Sequence, residues 1–175
     1  MAFFVRLSLG AGGDMKGFDV ALGWPSGTVG ELDHRRLKTP SVKLRSATVG
    51  AAGDVVYCID FRVRSPNANC YLSSTELHSL EHFLLEGAQR LLPDNFLSIG
   101  VMGCQTGFYL TLLNEGRAGR VCEVIAAILE GILEARCVPY ACIEQCGNFE
   151  NHSVELAQQV AKEVLAERGR WLEVL

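Results

Sequence analysis

His78-Ser79-Leu80-Glu81-His82 sits inside Ser73 to Leu85, a stretch in which Leu77, Leu80, Phe83 and Leu84 recur at helical spacing. Two histidines four residues apart share one helical face, with Glu81 beside the second. Neutral imidazoles are good ligands for zinc or ferrous iron. A pair at this spacing lets both nitrogens converge on one ion while a neighbouring carboxylate handles a proton. The string is therefore a candidate metal site. It also fits an amphipathic helix with two surface or capping histidines, and it matches the inverted zinc motif of a class of metallopeptidases.

Ser73, Ser74 or Thr75 can cap this helix with Glu76 in its first turn, and its end is expected near Arg90, before Pro93. Upstream, Ser41 to Val49 and Val55 to Val63 alternate about a Gly50 to Gly53 turn, which predicts a β-hairpin with Val55, Tyr57, Ile59, Phe61 and Val63 on its buried face. Cys58, Asp60 and Arg62 then point the other way, the solvated side unless something covers it. Downstream, Phe96 to Val101 reads as a strand, Gly103-Cys104-Gln105-Thr106-Gly107 interrupts it, and Phe108 to Leu113 resumes with β-favouring residues. Arg117 to Arg136 and Ser153 to Val174 carry apolar residues at helical intervals, the first with Cys122 as a packing residue, the second closing the domain.

The length of 175 residues fits one domain, and 49% hydrophobic with 21% charged residues is ordinary globular composition. A net charge of −4 leaves no basic stripe, so nucleic acid and anionic membrane are poor partners, and no apolar run is long enough to span a bilayer. Small molecules or proteins remain. Residues 1–30 are rich in glycine and, beyond a short candidate strand at Phe3 to Leu9, without periodicity; they read as an extension ahead of a single domain over 31–175. Seven cysteines is an odd count, and the apolar run Ala2 to Val5 is too short for a signal-peptide core, which together point to a reducing cytoplasm. There, thiols serve as ligands, catalysts or small hydrophobes. Cys104 is bracketed by glycines that let a ligand or another backbone approach. Cys146 precedes Gly147, where a turn can aim its sulfur inward as a soft third ligand. Cys137 and Cys142 read as structural, His34 in Glu31-Leu32-Asp33-His34 as solvated, and His152 as a capping or surface residue.

Taken in order, Leu32-Asp33-His34, Asp60-Phe61-Arg62, His78-Ser79-Leu80-Glu81-His82, Met102-Gly103-Cys104-Gln105-Thr106-Gly107 and Gln145-Cys146-Gly147-Asn148 resemble the S-ribosylhomocysteine lyases of the LuxS family, over roughly Glu31 to Leu165. The resemblance implies an α+β fold, an antiparallel sheet packed with helices, in a homodimer with active sites at the subunit interface. It implies one divalent metal per subunit, Fe(II) or Zn(II), held by His78, His82 and Cys146, with water or substrate in the fourth position. In the family, the carbonyl of an open-chain sugar thioether migrates by two proton-transfer isomerisations. A β-elimination then expels homocysteine and leaves 4,5-dihydroxy-2,3-pentanedione, a reaction tied to autoinducer-2 synthesis and quorum sensing. Carried over, Cys104 and Glu81 shuttle protons on opposite faces of the sugar, and His34 and Arg62 contact it from the partner subunit, with the dimer covering Arg62. Asp60, Ser98 and Ile99 fall at further positions on the substrate's side.

Two departures accompany the match. Where the family usually has Val-x-Ser-Phe before Leu-Asp-His, the serine and phenylalanine positions are Val29 and Gly30 here. Where it usually has Asp-Ile-Ser-Pro before Met-Gly-Cys, this chain has Ser98-Ile99-Gly100-Val101. Loss of a carboxylate partner for an ammonium removes a charge-assisted hydrogen bond worth about 1.5 to 3 kcal/mol. The expected substrate is thus S-ribosylhomocysteine, or another sugar thioether handled by the same mechanism.

Overall fold

In the computed structural model, which describes residues 18–175, Ser41–Val49 (β1) and Val55–Arg62 (β2) form the antiparallel hairpin that their alternation predicts. Phe96–Val101 (β3) and Gly107–Leu113 (β4) form a second antiparallel pair, and β4 joins β2, so the sheet runs β1-β2-β4-β3. β4 can lie this close to β2 because Gly107 lacks a side chain: a Cβ there would sit 2.2 Å from the Phe61 carbonyl oxygen. One face of the sheet carries Val42, Leu44, Ile59, Phe61, Phe108, Leu110 and Leu112, all buried. After a short helical turn at Phe18–Ala21 (α1), three helices supply most of the remaining core: Ser74–Leu91 (α2), Ala118–Leu133 (α3) and Val154–Ala166 (α4). This is the α+β arrangement expected.

α2 begins where its capping box dictates. The Glu76 N–H donates to Ser73 Oγ at 3.2 Å and the Ser73 N–H to the Glu76 carboxylate at 2.6 Å, a device worth about 1 kcal/mol. Leu77, Leu80, Leu84 and Ala88 form its buried stripe. At Gly87 it meets α3 so closely that a Cβ would lie 2.5 Å from Ile128 Cγ1.

Three sequence expectations need correction. The closing helix stops at Ala166 rather than reaching Val174; Arg168–Arg170 form a 3-10 turn, and the chain doubles back to bury Trp171, whose indole N–H donates to the Val164 carbonyl at 3.0 Å. Residues 22–30 do not stand apart from the domain: Trp24 is in the core with its indole N–H on the Gly116 carbonyl at 2.8 Å, and the Gly30 N–H donates to the Leu44 carbonyl at 3.0 Å. The candidate strand at Phe3 to Leu9 lies outside the described residues.

The sheet face that alternation assigns to solvent is also covered. Asp60 and Arg62 are each 2% exposed and Lys43 is 4% exposed within the single chain, so no partner is needed to cover Arg62. The Asp60 carboxylate accepts from Arg62 Nη2 at 2.7 Å and lies 3.5 Å from Lys43 Nζ, and Lys43 donates to the Gly30 carbonyl at 2.8 Å. Burial becomes tolerable because each charge has a partner and the segment around Gly30 closes over them. No helix among the described residues is long and apolar enough to cross a membrane.

Candidate metal centre

α2 brings the His78 and His82 rings to a centroid separation of 4.8 Å at 90°. Each ring is held from behind. His82 Nδ1 is 2.7 Å from the Pro139 carbonyl and His78 Nδ1 is 3.1 Å from the Asn151 carbonyl. A carbonyl only accepts, so both Nδ1 atoms carry the proton and both Nε2 atoms keep a lone pair, the arrangement that ligating histidines show. Asn151 is itself tied to the start of α2, with its side chain bonded to Thr75 Oγ1 at 2.6 Å and Ser74 Oγ at 3.0 Å.

The segment between α3 and α4 supplies two more donors. Cys146 is buried, its N–H bonded to the Cys142 carbonyl at 2.9 Å, and its sulfur lies 3.4 Å from His78 Nε2. His152 stacks on His78 with centroids 3.9 Å apart, and its Nε2 is 3.5 Å from the same sulfur. This corrects the reading of His152 as a capping or surface residue; Ser153 makes the cap of α4, and its N–H donates to the fully buried Ser79 Oγ at 2.9 Å, which pins the neighbouring His152 over α2. Burial together with His78 and His82 pushes the His152 imidazolium down to about 4, so the ring is neutral near physiological pH.

One ligand atom from each of His78, His82, Cys146 and His152 can be chosen so that all lie within 4.8 Å of one another. In a tetrahedral site with ordinary zinc bond lengths, sulfur and nitrogen ligands are about 3.5 Å apart. The sulfur's contact with His78 matches that edge, so His78, His82 and Cys146 fit a single divalent ion. Glu81 stands next to it, its carboxylate 3.8 Å from His82 Nε2.

Cys104 is set in the turn between β3 and β4, beside Arg62 from β2. Arg62 Nη1 donates to Thr106 Oγ1 at 2.7 Å and lies 3.7 Å from Cys104 Sγ; the Thr106 hydroxyl, 3.0 Å from that sulfur, keeps its own proton to give. Burial pushes the Cys104 thiol up, yet the Thr106 hydrogen bonds and the Arg62 cation outweigh it and bring the thiol below its ordinary value. Cys122, the packing residue on α3, goes the other way, pushed by burial up to about 11. Of these two thiols, only Cys104 is poised to act as a base.

Four clefts adjoin these groups and share lining residues. His78, Glu81, Ile99, Val101 and Gln105 line one of about 480 Å³. His34, Arg62, Tyr71, Cys104 and Gln105 line another of about 340 Å³. His34 and Arg62 continue into a small polar recess with Asp60, Lys43 and Tyr109, and Glu81 and Ile99 continue into a cleft with Gln89 and Ser98. The structure thus gathers His78, His82, Cys146 and Glu81 at one place and Cys104, Arg62 and His34 at another, with Gln105 on the rim of both. Lys43, Thr106 and His152 are neighbours of these groups to which the motifs assign no role.

The sequence matches the family described as S-Ribosylhomocysteinase (LuxS) over residues 29–174. The chain belongs to the LuxS family. The S-ribosylhomocysteine lyase of Oceanobacillus iheyensis is 46% identical over 144 residues, 82% of this chain and 92% of that protein. Those of Dichelobacter nodosus and Helicobacter pylori are 45% and 38% identical, each over 143 residues and 82% of this chain, covering 92% and 91% of their own lengths. Membership in LuxS, with Cys146 inside the histidine cluster, sets aside the metallopeptidase reading of His-x-x-Glu-His.

Proposed function

We propose that this protein is a metal-dependent carbon-sulfur lyase that cleaves S-ribosylhomocysteine to homocysteine and 4,5-dihydroxy-2,3-pentanedione; its relatives in the LuxS family carry the name S-ribosylhomocysteine lyase. The observation that carries the reading is the convergence of His78, His82 and Cys146 beside Glu81, in a family whose relatives are lyases. His78, His82 and Cys146 would hold one divalent ion, Fe(II) or Zn(II), since imidazole and thiolate suit both. When bound, the ion supplies Lewis acidity toward the sugar's oxygens.

The chain's own groups move the protons. Cys104 as thiolate takes a carbon-bound proton next to the sugar carbonyl and returns it one carbon along, while Glu81 relays protons between hydroxyl and carbonyl oxygens. After two such shifts the carbonyl stands β to the thioether carbon. Removal of the intervening proton breaks the C–S bond, the electron pair leaves on sulfur, and a proton completes homocysteine. No oxidant or co-reactant is consumed. Arg62 and Thr106 hold Cys104 in its reactive form, and His34 and Asp60 line the approach.

The working unit in this reading is a homodimer with shared sites. Arg62 touches Cys104 within one chain, so whichever subunit contributes Arg62 and His34 to a site contributes Cys104 with them. The other subunit then supplies the ion and Glu81. Exposed Tyr71, Leu97 and Val101 beside the clefts support a subunit contact there. Seven unpaired cysteines support a reducing cytoplasm.

A second reading keeps the mechanism and changes the leaving group. Ser98 is exposed, and its cleft contains a single carboxylate, Glu81, already assigned to proton transfer, so the amino-acid end of the thioether lacks an acidic partner there. Anaerobically purified protein, loaded with iron or zinc and given S-ribosylhomocysteine, tests the main reading by thiol titration. Faster thiol release from another S-linked sugar would favour the second.

A further inference from the structure

His152 is the imidazole of the cluster that the helical motif does not supply, and its two nitrogens have unequal surroundings. Nε2 lies 3.5 Å from Cys146 Sγ, whereas Nδ1 is buried with no hydrogen-bond partner. His78 and His82 are arranged the other way, each giving its Nδ1–H to a backbone carbonyl and keeping Nε2 for an ion. If His152 ligated through Nε2, its one proton would sit on Nδ1 as a buried donor without an acceptor, an arrangement that folded proteins rarely tolerate. With the proton on Nε2 the sulfur satisfies the donor, and only a lone pair goes unmatched. The hydrogen-bond network therefore assigns the tautomer.

We propose that His152 is a positioning residue that donates its Nε2–H to the Cys146 thiolate and so sets how strongly that sulfur donates to the bound ion. It acts beside the backbone N–H of Asn148, which reaches the same sulfur at 3.4 Å. The inference rests on reading His78, His82 and Cys146 as the ligands. Hydrogen bonds to a ligating sulfur draw charge away from it and thereby tune the acidity and potential of the metal. Shape and donor can be separated, because the ring also stacks on His78 at 30°. His152→Phe keeps a flat ring and loses the N–H; His152→Gln loses the ring and keeps an N–H.

Cobalt-loaded full-length protein reports on this directly, since the sulfur-to-metal charge-transfer band follows donation from Cys146. His152→Phe is expected to bind cobalt through the same two imidazoles and one sulfur by X-ray absorption, with the band moved to lower energy and affinity reduced about ten- to a hundred-fold. His152→Gln is expected to return the band toward wild type. Should the phenylalanine variant not fold, His152→Leu is the second variant, with the same expected shift. A third imidazole in the wild-type absorption spectrum that disappears in the variant would make His152 a ligand and overturn the proposal. An unmoved band in a cobalt-bound variant would overturn it as well. Failure of the wild-type chain to bind cobalt would overturn the metal-centre reading, and this proposal with it.

Discussion

Arg62 Nη1 lies 3.7 Å from Cys104 Sγ, although the guanidinium is buried and engaged on its far side by Asp60. The Lys43, Asp60 and Arg62 group holds two cations and one anion, so a thiolate at Cys104 supplies the missing negative charge. Strand pairing sets this contact, because Arg62 and Gly107 face each other in the β2 and β4 register and the turn before Gly107 carries the cysteine over the arginine.

Against the effect of burial, Thr106 and Arg62 hold the Cys104 thiol below its ordinary value. Its reactivity is retained as pH falls below the ordinary thiol value of 9.0, because the folded chain binds the proton more weakly. Thr106→Val removes a hydrogen bond to the sulfur and raises the midpoint; Arg62→Gln moves it the same way. Alkylation rate against pH, read at Cys104 by mass spectrometry, checks this, and an unmoved midpoint in both variants would remove the basis for a preformed base.

Metal binding and proton transfer separate by mutation. Cys146→Ala is expected to lose stoichiometric metal, whereas Cys104→Ala and Glu81→Gln keep it and lose about a hundred- to ten-thousand-fold in turnover. Metal analysis beside the rate measurement distinguishes them. Turnover unchanged in Cys104→Ala would show that another group is the base.

The proposed shared-site dimer predicts its own signature. Mixing inactive Cys104→Ala and Cys146→Ala chains through reversible unfolding is expected to restore turnover, since one of the two sites in each mixed dimer receives intact groups from both chains. A site built within one chain would stay dead in every mixture.

Packing gives a test independent of chemistry. Gly87→Ala puts a methyl into Ile128, 2.5 Å from Cγ1, and is expected to lower stability by about 1 to 3 kcal/mol in urea unfolding. That loss comes despite a gain of up to about 1 kcal/mol in helix propensity. A more stable alanine variant would mean that α2 and α3 pack less closely than described.

Acid sensitivity follows from Glu115. Its hydrogen bonds with the Arg117 side chain, joined by the Arg117 backbone N–H at 3.0 Å, hold its carboxyl below the ordinary 4.5. The stabilisation is present above 4.5 and is lost as pH falls through the folded value. Urea midpoints between neutral and acid pH should therefore fall less for Glu115→Gln than for wild type.

Much of this molecule was legible because its signals are local. The α2 motif combines a 3.6-residue stripe with a capping box, the first hairpin alternates about a turn that contains glycine, and β-favouring residues mark the two strands either side of Gly103 to Gly107. What escaped depends on contacts distant in sequence. Alternation says which face Asp60 and Arg62 occupy, but it is silent on the Gly30 segment that buries them. His152 enters the cluster because the 146–153 segment docks on α2 through Asn151 and Ser153, and nothing in the string Asn151-His152-Ser153 announces that docking. The end of α4 is set by Trp171 finding Phe61, with rings 6.3 Å apart, and not by its own periodicity. The glycines around Cys104 serve different ends: Gly107 lets β4 approach β2, and Gly103 lines the cleft with nothing near its missing Cβ.

The most direct test of the central claim is the product balance of a single reaction. Metal-loaded protein incubated anaerobically with S-ribosylhomocysteine should release homocysteine thiol and a trappable 1,2-dicarbonyl in equal amounts, and should release neither when Cys104 is alanine. An active-metal preparation that releases neither product, or releases thiol without the dicarbonyl, would contradict the account.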